Sequence, residues 1–468
     1  MNIEQIYTKC LAQGAYYIES NGEAAVIDPL RETAPYIDRL QADGAKIKYI
    51  FETHFHADFV SGHVDLAKTT GASIVFGPEA NPNFNFHSAK DQEVFSIGDL
   101  QIKVLHTPGH TMESCCFLMS DKKGKDIAVF TGDTLFIGDV GRPDLAQKAA
   151  DMTQEDLAGK LYESLRNKVM TLGDDVIVYP AHGAGSACGK NMSSETSCTI
   201  GKQKRTNYAL RADMTKAEFV KELTAGLMPP PQYFGMNVHM NKSGYDSIDE
   251  VMRRGMQALS IDSFTALLSQ DDILLLDTRN ANDFAEGFIP GSIFIGLEGQ
   301  FAPWVGALIP TDRQKIILLT EPGKEKETVK RLARVGYDNV LGFLAGGFQT
   351  WLSADNSIET VSRINVTEFM SLDFDQECVI DVRKPGEYEA SHLKVAKSLP
   401  LDFIKENIKS YPKNIPLLLH CAGGYRSMIA ASILKKNGFN VIEDLIGGYK
   451  DIPVSFSLRT DFVCPSGS

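Results

Sequence analysis

His54, His56 and Asp58 fall in one short run, Thr53-His54-Phe55-His56-Ala57-Asp58-Phe59, directly after the apolar segment Ile47-Lys48-Tyr49-Ile50-Phe51. Imidazoles and a carboxylate gathered at a strand end give the convergence of donors that a transition metal needs. The next residue, Phe59, has no donor atom, and the run reads as built for one metal. Three more strand ends offer ligands of the same kinds. His110 follows a Pro-Gly turn in Leu105-His106-Thr107-Pro108-Gly109-His110-Thr111, and Asp133 sits in the Gly-flanked turn of Phe130-Thr131-Gly132-Asp133-Thr134. Val178-Tyr179-Pro180-Ala181-His182-Gly183 presents His182. His87, His106 and His239 read as hydrogen-bonded core histidines instead.

A second chemistry lies far along the chain. Leu417-Leu418-Leu419-His420-Cys421-Ala422-Gly423-Gly424-Tyr425-Arg426-Ser427 reads as strand, tight loop and helix. Glycines let such a loop curl so that backbone N–H groups converge at a helix N-terminus, an anion-binding nest. Cys421 sits in that nest with Arg426 expected to close its far side, a setting that favours a thiolate. The nest suits a persulfide anion or an incoming oxyanion.

The elements that position these groups differ between the halves. The first half alternates short β-rich runs (Gly14 to Ile18, Ala24 to Asp28, Ser73 to Phe76, Gln101 to Leu105, Ile127 to Phe130, Val176 to Tyr179) with helical patterns at Asp151 to Leu165 and Thr215 to Leu227. Pro229-Pro230-Pro231 stops the last helix, and Tyr233 to Tyr245, poor in periodic apolar positions, reads as a loop. The second half repeats itself. Leu274-Leu275-Leu276-Asp277-Thr278-Arg279 matches Val379-Ile380-Asp381-Val382-Arg383, and Leu344-Ala345-Gly346-Gly347-Phe348 matches Leu445-Ile446-Gly447-Gly448-Tyr449. Each copy alternates short apolar strands with helices, at Lys326 to Val335 and Ser427 to Asn437, the pattern of a parallel α/β sheet. Where the second copy has His420-Cys421, the first has Thr320-Glu321, and a carboxylate cannot carry sulfane sulfur. With a break near Ala354 to Glu359, three domains are expected, at 1–252, 253–356 and 357–468.

Composition narrows the classes. At 468 residues, 43% hydrophobic and 23% charged, the chain has the make-up of a globular protein of about three domains. A net charge of −13 argues against a nucleic-acid surface, and the run Lys202-Gln203-Lys204-Arg205 reads as a solvated face. No apolar run approaches a membrane span, and the start Met1-Asn2-Ile3-Glu4-Gln5 has no signal character, so a cytoplasmic location is expected. Eight cysteines are too sparse for a disulfide scaffold and are expected to be thiols.

The ordered motifs of residues 1 to 250 resemble the metallo-β-lactamase superfamily, an αββα sandwich with metal at one edge of its sheets. Its binuclear members, such as glyoxalase II, carry histidine where this chain has Phe59. Its persulfide dioxygenases hold a single Fe(II) through residues matching His54, His110 and Asp133, a two-histidine, one-carboxylate set with open positions. The resemblance implies that His56, Asp58 and His182 orient ligands and bound water. It also implies that Arg142, in Gly138-Asp139-Val140-Gly141-Arg142-Pro143-Asp144, contacts the carboxylate of a thiol carrier such as glutathione. Glutathione-specific members usually read His at position 59. The later repeats resemble rhodanese sulfurtransferases, with Asp381-Val382-Arg383, Glu387-Tyr388 and a six-residue loop from Cys421 to Arg426. The first copy would then be a non-catalytic rhodanese, a spacer or dimerisation element.

The resemblance thus implies oxidation of a low-molecular-weight persulfide by O2 to sulfite, with Cys421 and Arg426 passing sulfane sulfur to or from thiosulfate. One Fe(II) per chain is expected, zinc being the alternative. A zinc thioester hydrolase and a non-catalytic persulfide carrier are the rival readings. The partners expected are the persulfide, O2 and sulfite or thiosulfate, in a homo-oligomer, with no nucleic acid and no membrane. Cys188 and Cys198 either meet a persulfide near the iron or are exposed thiols.

Overall fold

The computed structural model describes residues 1–147, 151–190, 192–227, 229–310, 313–374 and 378–463. Cys464 lies outside them. The chain forms two compact units, Met1–Glu250 with Leu332–Gly336, and Val251–Arg331 with Tyr337 onward.

Two six-stranded sheets form the first unit. One runs in spatial order through Asn2–Thr8, Gln13–Ser20, Glu23–Ile27, Lys46–Glu52, Ser73–Phe76 and His87–Ser88. Its first three strands pair as antiparallel hairpins and its last four are parallel. Parallel neighbours need crossovers, and the helices Ala34–Asp43 and His63–Thr70 supply the first two. The other sheet runs through Cys198–Thr199, Ile177–Pro180, Asp126–Gly132, Cys115–Asp121, Leu100–His106 and Val94–Ile97.

Strand alternation separates two apolar faces on each sheet. Tyr16, Ile18, Phe51 and Val75 meet Phe95, Phe117 and Phe130 in the core between the sheets. Ala15, Tyr17, Val26, Ile47 and Ile50 face the other way and pack on Tyr36 and Leu66 of the crossover helices. Behind the second sheet, Leu105, Cys116, Leu118 and Val129 meet Ala158 and Leu161 of Gln154–Ser164 and Phe219 of Lys216–Thr224. Each large apolar side chain so buried contributes about 1.5–3 kcal/mol. The layering is helix, sheet, sheet, helix, as expected.

One expectation fails here. Tyr233 to Tyr245 is not a loop: Phe234–Ser243 is a helix. Its buried residues are Phe234, Asn237 and Asn241, so the inward face is largely polar and leaves no apolar periodicity to read. Helix Gln154–Ser164 starts later than the pattern implied, because Thr153 and Asp156 form a capping box. His87 and His239 are exposed, not core residues. His87 pairs with Glu93, and half-buried His106 donates from Nε2 to the Met112 carbonyl at 2.8 Å. The run from Lys202 is only partly solvated, since Gln203 is buried and accepts from the Gly138 amide.

The second unit contains two all-parallel five-stranded sheets with the same strand order. One is Ala258–Leu259, Val340–Leu344, Lys315–Leu319, Ile273–Asp277, Ile293–Phe294; the other is Ser362–Ile364, Ile442–Leu445, Leu417–His420, Cys378–Asp381, Lys397–Ser398. Each repeat carries one clamp. Arg279 makes a bidentate pair with Asp277, donates to the Gly287 carbonyl and lies over the Phe348 ring. Arg383 does the same with Asp381, the Ser391 carbonyl and the Tyr449 ring.

Candidate metal centre and sulfur loop

The strand Lys46–Glu52 ends against the sheet edge, and Thr53 and His54 follow it into buried space. Thr53 does two jobs with one hydroxyl. It donates to Asp28 Oδ2 at 2.8 Å and accepts from His54 Nδ1–H at 3.0 Å. That leaves His54 Nε2 as the free lone pair. His110 is oriented the same way, since its Nδ1–H donates to the Arg142 carbonyl at 2.8 Å. Asp133 receives His182 Nδ1–H on Oδ1 at 2.8 Å, and its Oδ2 is buried with no hydrogen-bond partner.

The free atoms of these three residues face one another. Asp133 Oδ2 lies 3.4 Å from His110 Nε2 and 3.9 Å from His54 Nε2. All three donors lie within 4.8 Å of one another, and all three residues are buried. A buried carboxylate oxygen without a proton donor is costly unless a cation sits beside it. Two imidazole lone pairs aimed at that oxygen are what a divalent transition metal requires. The donor set therefore fits a metal ion.

Glycine backbones bring the set together. Gly132 has φ +51°, and a Cβ there would fall 2.6 Å from Thr53 Cβ and Oγ1. A Cβ on Gly141 would lie 2.0 Å from the Asp133 carbonyl oxygen and 2.9 Å from His110 Nδ1.

His56 does not join the three. Its Nε2 lies 3.1 Å from Asp28 Oδ1 and 3.4 Å from Glu52 Oε2, and His63 Nδ1 lies 3.1 Å from Glu52 Oε1. Burial disfavours a charged His56, but the Asp28 and Glu52 carboxylates prevail and raise it well above the ordinary histidine range. Phe59 is fully buried and packs on the His56 ring at 4.3 Å. Its apolar ring brings no donor atom to the buried histidines and carboxylates beside it.

His182 bridges two carboxylates, donating from Nε2 to Asp58 Oδ2 at 2.8 Å as well as from Nδ1 to Asp133. Burial opposes its protonation, yet Asp133 and Asp58 push it up to about 10. The charged imidazolium thus fixes both carboxylates. Cys188 is buried, with donor atoms of Asp58 and His182 within 4.8 Å, so it is not an exposed thiol. Burial, then Asp58 and Asp133, raises its thiol well above the ordinary range. Cys198 is half-buried and accepts from Gln203 Nε2 at 2.9 Å.

Arg142 is buried, and its guanidinium already makes a bidentate pair with Asp144, both contacts at 2.7 Å. What it gives the centre is its backbone carbonyl. Sequence reasoning passed over three residues that hold this loop: Thr53, Asp28 and Asn241. Asn241 donates to the carbonyls of His56 and Phe59, both at 2.8 Å, and accepts from the Ser61 amide. Asn237 and Asn241, four apart in one helix, were the available signal.

The second candidate group lies at the end of Leu417–His420. Cys421 is buried, and the Gly424 amide donates to its Sγ at 3.1 Å. Gly424, at φ +93°, turns the chain into the helix Tyr425–Lys436. Tyr449 and Lys450 amides donate to the Cys421 and Ala422 carbonyls, at 2.7 and 3.2 Å. Arg426, expected at the far side of the thiol, gives its fork to Glu387 at 2.6 and 2.8 Å. In the first repeat Thr320 is buried beside Thr328, and the loop after it offers Glu321 without a thiol.

Comparison with known proteins agrees with this division. The metallo-beta-lactamase superfamily model matches residues 9–182, and the rhodanese-like domain model matches residues 260–354 and 366–452. The hydroxyacylglutathione hydrolase of Tolumonas auensis (strain DSM 9187 / NBRC 110442 / TA 4) is 36% identical over 171 residues, 36% of this chain and 60% of that protein. The mitochondrial persulfide dioxygenase ETHE1 of Homo sapiens is 29% identical over 221 residues, 47% of this chain and 78% of that protein. Of the hydrolase relatives the chain spans only part, 60% of the Tolumonas protein and 58% of a probable hydroxyacylglutathione hydrolase from Schizosaccharomyces pombe. A crystal structure of a metallo-beta-lactamase from Staphylococcus aureus subsp. aureus COL matches with TM-score 0.65 and 29% identity, over 74% of this chain and 99% of that one. The chain is a metallo-beta-lactamase superfamily domain followed by two rhodanese-like domains.

Proposed function

We propose that the first unit is a mononuclear Fe(II) persulfide dioxygenase and that Cys421 is the sulfur-carrying thiol of a sulfurtransferase. The observation that supports it is the convergence of His54 Nε2, His110 Nε2 and Asp133 Oδ2 on one point, with Phe59 where a second ion would need a donor. A ferrous ion held by these three residues would supply redox chemistry with O2 that no side chain supplies. The protein's part is to hold the lone pairs. Thr53 and the Arg142 carbonyl fix the imidazole tautomers, and His182 fixes the carboxylate.

The overall reaction is RSSH + O2 + H2O giving RSH and sulfurous acid, which ionises to sulfite. At Cys421, the thiolate attacks the outer sulfur of a second RSSH, RSH leaves, and a cysteine persulfide remains. Sulfite then attacks that outer sulfur, the S–S bond breaks toward Cys421, and thiosulfate leaves. The Gly424 N–H faces the charge on Cys421 Sγ before and after transfer. Arg426, paired with Glu387, borders the loop and offers its remaining donors to an oxyanion. A contact from Arg142 to a carrier carboxylate requires that Asp144 share or release the guanidinium.

A zinc thioester hydrolase would use the same three donors, and the hydrolase relatives favour it. Oxygen-electrode traces with glutathione persulfide and other persulfides separate the two. Uptake is expected in the wild type, abolished in His110→Ala and retained in Cys421→Ser, while thiosulfate output falls in the latter. Thioester cleavage without oxygen uptake by the anaerobically iron-loaded protein would overturn the proposal.

A further inference from the structure

The thiol-bearing loop is held on two sides by different repeats. Its own repeat holds it from Tyr449 and Lys450. The other side is held by the first rhodanese-like repeat, which has no thiol at the matching position. Half-buried Tyr425, the fifth residue of the loop, donates from Oη to the Gly296 carbonyl at 2.7 Å. Its ring meets Phe294 at 6.2 Å and lies against Gly299, where a Cβ would fall 2.6 Å from the ring. Two turns further along the same helix, Ser432 Oγ accepts from the Phe294 amide at 3.0 Å.

The stretch that receives Tyr425 is stiff. The Ile295 amide donates to the Asp277 carbonyl at 2.9 Å, and Leu297 donates to Thr278 at 3.1 Å. Arg331 Nη1 donates to the Leu297 carbonyl at 2.7 Å. Asp277 and Thr278 adjoin the Arg279 clamp, so the Gly296 carbonyl belongs to the first sheet's framework and not to a free loop.

Tyr425 is also the residue directly after Gly424. The Gly424 peptide, in its left-handed conformation, is the one whose N–H reaches Cys421 Sγ. A ring fixed against a neighbouring framework sets where that N–H points. A displacement of a few tenths of an ångström would change a 3.1 Å hydrogen bond to Cys421 Sγ.

We infer that the first rhodanese-like repeat is a positioning element for Cys421, acting through Gly296 and Gly299 on Tyr425 and so on the Gly424 N–H···Sγ bond. This rests on Cys421 being the sulfur carrier proposed above. The repeat without a thiol thus takes part in the transfer step without touching substrate.

The test uses the full chain and two readouts. One is sulfur transfer to sulfite, and the other is alkylation of the Cys421 peptide followed by mass spectrometry across pH. Gly299→Ala inserts one methyl at an exposed position outside the left-handed region, whose near contact is the Tyr425 ring. It should lower transfer kcat about tenfold with KM for sulfite held, and move the alkylation profile to higher pH. Tyr425→Phe, which keeps the ring and loses only the Oη bond, should do the same by about threefold. In a Tyr425→Ala background, Gly299→Ala should have no further effect, because the ring it presses is gone.

Unchanged kcat and unchanged alkylation in both single variants would overturn the inference, as would additive effects in the double variant. Alkylation is read whether or not sulfur moves. A wild type that transfers no sulfur therefore refutes the proposed function, while the alkylation profiles still decide this coupling.

Discussion

Thr53→Val is the most direct test of how the metal donors are set. Valine keeps the shape of threonine and removes the hydroxyl, which joins Asp28 Oδ2 at 2.8 Å to His54 Nδ1 at 3.0 Å. Two buried hydrogen bonds go, each with a net value of about 1 kcal/mol. Without the acceptor at Nδ1, the neutral imidazole is free to carry its proton on Nε2, where it blocks ligation. Loss of such an orienting partner weakens metal binding about tenfold to a hundredfold. That is about 1.4–2.7 kcal/mol, consistent with the bonds removed. Asp28 keeps its bond from the Thr53 amide, so the unit should still fold. Its unpaired Oδ2 should cost about 1–3 kcal/mol, or roughly 2–12 °C in Tm for a unit of this size. Anaerobic competition titrations with Fe(II) and with Zn(II) against a chromophoric chelator measure the affinity. Thr53→Ser, which keeps the hydroxyl, should bind as the wild type does. A Thr53→Val protein whose Kd stays within about twofold of wild type would refute the orientation argument.

Three other changes probe different parts of the molecule. Phe59→His places a donor next in the chain to Asp58 and against the His56 ring, and metal analysis by plasma emission should show content rising from one ion per chain toward two; a ratio fixed at one would count against Phe59 as the excluding residue. Gly132→Ala should destabilise the first unit by about 2–4 kcal/mol and weaken metal binding, since it strains a left-handed residue and drives a methyl into Thr53. A variant melting and binding as wild type would show that the turn can yield. Burial opposes ionisation of Glu387, but the Arg426 fork prevails and lowers its pKa. The stabilisation from that pair is therefore complete above about pH 4.3, the value of a free glutamate, and is lost as the pH falls below it. Tm curves of wild type and Glu387→Gln should converge in acid and separate toward neutrality; a constant gap would contradict the pairing.

The positions of the candidate residues were legible because each ends a strand and is marked by its neighbours. His54 follows Lys46–Glu52, Asp133 follows the left-handed Gly132, and Cys421 follows Leu417–His420. The layered sandwich and the duplicated parallel sheets followed from strand alternation and internal matching. Partnerships made by distant side chains were not legible. Nothing local says that Glu387 takes the Arg426 fork, or that Asn241 holds the His56 and Phe59 carbonyls. The helix Phe234–Ser243 was lost for a related reason. Its inward face serves hydrogen bonding to the His56 and Phe59 carbonyls, so it lacks the apolar stripe by which helices are recognised.

The paired Asp–Arg clamps carry a consequence for how such a chain can be altered. Asp277–Arg279 and Asp381–Arg383 brace their sheets by the same contacts, yet one sheet ends in Thr320-Glu321 and the other in His420-Cys421. Different loop tips thus sit on two sheets braced in the same way. Grafting residues 420–426 onto the first repeat should give a well-folded protein, and the new thiol would be a sluggish one unless its tyrosine met bracing equal to that which Gly296 and Gly299 give Tyr425.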